Sequence, residues 1–103
     1  MTAAELLGRR HVVRAELEEG RGHLLMVLRK PDEAVKAAPV GDVLCWANGL
    51  EEAKVSRILA AAEIPWGRPT ASLRKREVEM LCLQIKARHP ETWQRWRDAV
   101  KRR

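Results

Sequence analysis

At 103 residues the chain has room for one modest hydrophobic core and too little for two. Apolar residues at 46% and charged residues at 33% exclude a disordered chain, while the absence of Phe and Tyr and the wealth of Ala, Leu, Glu, Arg and Lys favour helix throughout. A formal charge of +6 predicts attraction to polyanions, nucleic acid before anionic membrane, and no stretch reads as a transmembrane span or a signal peptide.

Thr2-Ala3-Ala4-Glu5 is a capping box, in which the hydroxyl serves a free N–H of the first turn and the carboxylate reaches back. A helix is expected from there to about Glu19, with Leu6, Val13 and Leu17 along one side. Arg9, Arg10 and Arg14 cluster around the other side, and Glu16, Glu18 and Glu19 segregate to the far end. Such a cluster is commonly a solvated face; the segregation of charge makes it a candidate phosphate surface here. Gly20-Arg21-Gly22 predicts a turn, and His23 to Lys30 a short, mostly buried helix with His23 at its start as a capping or surface residue. Pro31-Asp32-Glu33 can open a further helical turn that Lys36 to Pro39 ends.

Val40, Val43, Leu44 and Ala47 repeat at i, i+3, i+4 and i+7, and Val55, Ile58, Leu59 and Ala62 do so again. Asn48-Gly49 separates the two runs, because both residues tolerate left-handed backbone conformations. The expectation is a short helix, a tight connector and a longer helix, neither able to bury its apolar face alone. Pro65 to Thr70 then forms a loop in which Trp66 reads first as a lid over the core and second as a stacking surface for a base or deoxyribose. Arg68 beside it is expected to be exposed.

Ser72 is the expected N-cap of the longest helix, Leu73 to about Arg88, with a core stripe of Val78, Leu81, Cys82 and Ile85 that Met80 and Leu83 widen. Its first turn carries Arg74, Lys75 and Arg76. Cations there oppose the helix dipole, so stability does not explain them, and an anion at the helix N-terminus would. His89-Pro90 ends the helix, and Glu91 begins a last one to about Lys101 with Trp93, Trp96 and Val100 as its stripe. From Lys86 to Arg103 seven cations face only Glu91 and Asp98, so the positive charge is concentrated.

Cys45 and Cys82 are isolated within apolar helical patterns and read as buried free thiols of a reducing cytoplasm. His11, His23 and His89 show no ligand spacing with either cysteine, so neither metal nor cofactor is expected. No nucleophile–base pairing and no carboxylate pair stands in a recognisable frame, so the chain is not read as an enzyme.

Arg14-Ala15-Glu16-Leu17, then Leu24 with Val27-Leu28-Arg29, then Val40 with Val43-Leu44, then Lys54-Val55, Ile58 and Glu63-Ile64 follow an order that resembles the actinobacterial integration host factor. The match runs from about Arg14 to Ile85, with most weight on Val40 to Ile64. The resemblance implies an all-α single domain with an N-terminal helix over residues 1–19 and a helical body over 20–88 with a helix-two-turn-helix unit at about 40–76, to which this sequence adds a basic helix and tail over 90–103. It also implies nucleoid-associated, largely non-specific binding of duplex DNA through phosphates.

The departures matter too. Where the family carries a Gly-bearing turn that brings backbone N–H groups to a phosphate, this chain has Leu50-Glu51-Glu52, whose acids would repel one. Where the family has an Arg-Arg-x-Arg run, only Arg68 stands, followed by Pro69 and Thr70, and the cations return as Arg74, Lys75 and Arg76. The N-terminal arm is shorter and the Glu91–Lys101 helix lies beyond the family's usual end. A divergent member carried by a phage or other mobile element would look like this.

Two functions from different classes follow. As a monomeric DNA-binding architectural protein, the chain would use Arg9, Arg10 and Arg14 on one surface and Lys54, Arg57, Arg68, Arg74, Lys75 and Arg76 on another. As a protein-interaction module that has lost DNA binding, it would present Trp93 and Trp96 as partner anchors. Burial of the two tryptophans within one molecule separates these readings. Structured RNA is a third ligand class, since helix-two-turn-helix units also occur in a ribosomal protein.

Overall fold

Hydrophobic spacing of three and four residues recurs along most of the chain, and every segment that carries it is helical. The computed structural model describes residues 2–20 and 23–101. Met1, Arg102 and Arg103 lie outside the described residues, as do Arg21 and Gly22 of the expected turn. In order come α1 (Ala3–Glu18), α2 (Leu24–Arg29), α3 (Val40–Trp46), α4 (Glu52–Ala62), a 3-10 turn (Thr70–Ser72), α5 (Lys75–Arg88) and α6 (Pro90–Lys101). The fold is all-α, with no strand among the described residues, and a radius of gyration of 12.9 Å matches the ~13 Å of a 100-residue globule.

α1 begins as its sequence directs: the Thr2 hydroxyl accepts from Glu5 N–H at 3.1 Å. Only Leu17 is fully buried on it, while Leu6 and Val13 are half-buried and Leu7 and Val12 stay exposed. Residues 33–37 form turns instead of a helix, because Asp32 takes its acceptors locally: its carbonyl receives Val35 N–H and its carboxylate receives Ala34 N–H. α3 and α4 bury the residues their spacing picks out, Val40, Val43 and Leu44 on one and Val55, Ile58 and Leu59 on the other. Gly49 takes φ +95° between them, and α4 ends on Glu63 in the left-handed region.

A clasp joins the chain on either side of this pair. Val40 N–H donates to Arg68 O at 2.7 Å, Gly41 N–H to Trp66 O at 3.0 Å, and Thr70 N–H to Ala38 O at 2.9 Å. Pro39 and Pro69 face each other across it as a single antiparallel bridge. The Trp66 ring lies directly over Gly41, and its Nε1–H donates to Asp42 Oδ1 at 3.0 Å. Trp66 is therefore a lid.

α5 starts two residues later than expected, with Arg74 as its N-cap residue. Ser72 does not cap it; its hydroxyl donates to Pro69 O and closes the 3-10 turn. Val78, Leu81, Cys82 and Ile85 are buried as expected, but Met80 and Leu83 are exposed, because α4 covers one side of α5 and α2 with α6 the other, leaving its outer face bare. Burial pushes the Cys82 thiol up to about 11, so it stays protonated at neutral pH.

α6 folds back on the body and buries Trp93 and Trp96. His23 lies between them and the chain, edge-on to Trp93 at 4.6 Å and to Trp96 at 5.7 Å between ring centroids. Its Nδ1 accepts from Leu25 N–H at 3.0 Å, so it caps α2. It is buried, not a surface residue, and Nδ1 must be unprotonated to accept. Burial first, and then the charge of Arg97, hold this imidazole below its ordinary value.

Two predictions follow from these contacts. A Cβ at position 41 would meet the Trp66 ring at 2.1 Å, so Gly41→Ala should expel the indole, costing about 1–3 kcal/mol in a denaturant titration and shifting tryptophan emission to the red. Because His23 takes up its proton more readily when unfolded, stability should be full above the ordinary histidine range and decline as pH falls through about 6.5 toward the lower folded value. His23→Asn, which keeps a capping acceptor without a titrating ring, should flatten that decline in thermal melts between pH 7.5 and 5.5.

Candidate nucleic-acid interface

The arginines of α1 are engaged within the molecule. Arg9 pairs with the Asp32 carboxylate, Arg10 Nε–H donates to Ala34 O at 3.1 Å, and Arg14 Nε–H donates to Glu18 Oε1 at 2.7 Å. The Ala34 N–H and the Arg9 guanidinium hold the Asp32 carboxyl below the usual carboxylate range. Two of the three side chains thus fasten α1 to the 31–38 segment. Their exposed nitrogens face solvent, but the cluster is no longer an unpaired basic face.

Arg68 departs furthest from expectation. Its Nη1–H and Nη2–H donate to the two Glu77 carboxylate oxygens at 2.9 and 2.8 Å, while Nε–H and Nη2–H reach the Ser72 hydroxyl and carbonyl. A bidentate fork with two further bonds occupies four of the five guanidinium N–H donors. Glu77 also accepts from Arg74 N–H at 3.0 Å, so Arg68 orients the residue that caps α5. Both contacts hold the Glu77 carboxyl low, the Arg68 bond more than the Arg74 one. Arg68 is a positioning residue, with four of its five N–H donors engaged inside the molecule.

The remaining cations do not form one surface. Arg74, Lys75 and Arg76 are exposed at the start of α5, where Lys75 and Arg29 of α2 flank a shallow groove floored by Leu28, Leu73 and Val78. Lys54 and Arg57 lie at the other end of α5. Arg88 and His89 join them there, and these four side chains line a cleft of about 300 Å³ with no carboxylate among its walls. α5 keeps the two patches about 20 Å apart at 1.5 Å per residue.

Local structure explains each member of the cleft. Lys54 sits in the first turn of α4, and its Nζ donates to Gly49 O at 3.3 Å. Arg57 follows one turn later on the same face. Arg88 closes α5, with its Nε–H donating to Gln84 Oε1 at 3.0 Å. His89 is the corner residue between α5 and α6, its N–H bonded to Ile85 O and its carbonyl to Trp93 N–H. Burial, then Lys54 and Arg88, hold its imidazole below the ordinary value, so it is uncharged at neutral pH.

Glu51 and Glu52 are exposed at the start of α4, as the sequence suggests, and the turn before them is covered. A Cβ on Gly49 would meet Thr92 at 2.9 Å and Arg95 at 3.0 Å, so α6 lies directly on this connector. Arg29, Arg88, His89 and Arg95 were not singled out by sequence reasoning. The charge run from Lys86 flags Arg88 and Arg95 but not His89, and only tertiary packing shows which of these side chains meet α4. Trp93 and Trp96 are buried in the monomer and cannot serve as exposed partner anchors.

No helix among the described residues is long and apolar enough to cross a membrane. Comparison with family models, with characterised proteins and with solved structures finds no match to this chain.

If Arg68 positions α5, Arg68→Ala should lower the thermal midpoint and the protection of the α5 first-turn amides in hydrogen exchange, while polyanion affinity changes less than for Arg74→Ala.

Proposed function

We propose that this protein binds duplex DNA through its phosphates, with little sequence preference, as a nucleoid-associated architectural protein of the cytoplasm. The observation that carries the reading is the α4–α5 cleft, where Lys54, Arg57, Arg88 and His89 converge without an acid. Left to themselves, like charges repel, so such a group favours an anion from outside. The patch of Arg74, Lys75 and Arg76 at the far end of α5 offers a second set of phosphate contacts. Two basic patches about 20 Å apart on one rigid helix can engage separate stretches of a backbone and help to bend or bridge it. The resemblance of residues 14–85 to actinobacterial integration host factor supports the same reading, and no enzymatic role is proposed.

The protein-interaction alternative loses one of its supports, since its two tryptophans are internal. Glu51 and Glu52 are exposed and do not line the cleft, whose walls are the α4 and α5–α6 corner side chains.

Fluorescence anisotropy with a random-sequence duplex tests the proposal. Micromolar or tighter binding is expected at low salt, with log K falling against log salt at a slope of about −5 if six cations each meet one phosphate. Replacing Lys54, Arg57 and Arg88 together, or Arg74, Lys75 and Arg76 together, by Ala should weaken binding at least tenfold, about 1.4 kcal/mol, and reduce the slope by roughly 3. No binding at low salt would overturn the reading.

A further inference from the structure

We infer that the α4–α5 cleft is a single-phosphate site in which His89 takes up a proton as the phosphate enters, so that binding tightens as pH falls. The inference deepens the DNA reading and rests on it only for the source of the phosphate.

The geometry supplies the site. Arg88 is held through Nε by Gln84, which leaves both terminal nitrogens of its guanidinium free for a bidentate grip on two oxygens. Lys54 spends one of its three N–H bonds on Gly49 O, and Arg57 makes no side-chain bond within the described residues. His89 is fixed at the corner by backbone bonds to α5 on one side, 2.7 Å to Ile85 O, and to α6 on the other, 3.0 Å from Trp93 N–H. These bonds hold its backbone at the edge of the cleft that its side chain lines.

Burial of the ring, and after it the charges around it, set its proton affinity. α4 contributes Lys54 and Arg57, α5 contributes Arg88, and the first residue of α6 with charge, Glu91, is exposed and outside the cleft walls. Burial and these cations together favour the neutral imidazole. A phosphate changes the sign of the surroundings. It offsets the charge of Lys54 and Arg88 and offers an oxygen to an imidazolium N–H, both of which favour the protonated form. Occupation must then raise the proton affinity of His89, and by linkage protonation must raise the affinity for phosphate. Binding strengthens as pH falls through the window between the raised bound-state value and the lowered free-state value, and is flat outside it. Each pKa unit between the two states is worth tenfold in affinity.

A phosphodiester of duplex DNA and a free oxyanion share this chemistry, and two measurements separate them. The first is duplex affinity by anisotropy at pH 6.0, 7.0 and 8.0 at fixed ionic strength, for the native chain and for His89→Gln. The native chain should bind about fivefold or more tightly at pH 6.0 than at pH 8.0, whereas His89→Gln should lose most of that ratio. His11 and His23 are present in both proteins, so the difference belongs to position 89. The second is the NMR titration of the His89 ring with and without sulfate, whose own charge is constant over this range. Sulfate should raise the His89 pKa, and Arg88→Gln should abolish the rise. DNA binding with equal pH ratios in the two proteins would overturn the inference and leave the DNA reading standing. Absence of DNA binding with a sulfate-induced rise would overturn the DNA reading and support the site. A His89 pKa that neither duplex nor sulfate moves would remove the site.

Discussion

The peptide unit at Asn48 is the constraint on which the arrangement of helices depends. Its N–H donates to Leu17 O and its side-chain amide to Glu18 O, both at 2.9 Å, so it closes the end of α1. Its carbonyl accepts from the Trp96 indole at 3.0 Å, so it also anchors α6. One residue in a two-helix connector thus fixes the first helix and the last against the central pair. Trp96 is among the largest fully buried side chains, and without Asn48 O its N–H would be stranded at a cost of about 1–3 kcal/mol. Gly49 follows immediately and leaves the space that Thr92 and Arg95 fill. The connector is short because it is crowded.

That crowding bears on electrostatics. A connector open to solvent could present its backbone N–H groups to an anion, but here α6 covers it and Glu51 and Glu52 stand at its exit. The same fold-back carries the α5–α6 corner to the flank of α4, where Arg88 and His89 meet Lys54 and Arg57. Positive potential at this junction of three helices is carried by side chains and not by backbone dipoles. Side chains are longer and can titrate, so a site built this way responds to salt and acidity more than an amide nest does.

Much of this was legible in the sequence. The stripes of α3, α4 and α5, the Thr2 cap, the Asn48-Gly49 break and the lid role of Trp66 all follow from spacing and local chemistry, because each is settled within a few residues. Long-range polar choices were not legible. Arg68 looked like a free cation since its partner, Glu77, lies nine residues on and across a turn. His23 looked peripheral because the tryptophans that bury it stand 70 residues away or more. Met80 and Leu83 matched the helical period, yet packing covers only part of α5, and periodicity alone does not say how wide the covered part is. The candidate site was half-visible: Lys54 and Arg57 by their place on α4, Arg88 and His89 only once the corner was seen.

The clasp between residues 36–41 and 66–71 is the one place among the described residues where this helical chain pairs two extended segments. Such a pairing could in principle recruit a further extended chain along its open side and seed edge-to-edge association. The residues that face each other at its centre are Pro39 and Pro69, and neither has an N–H to offer. The open side therefore offers no donor at its centre, and a protein that would meet its ligand at high local concentration keeps this strand-like contact from becoming a route to aggregation.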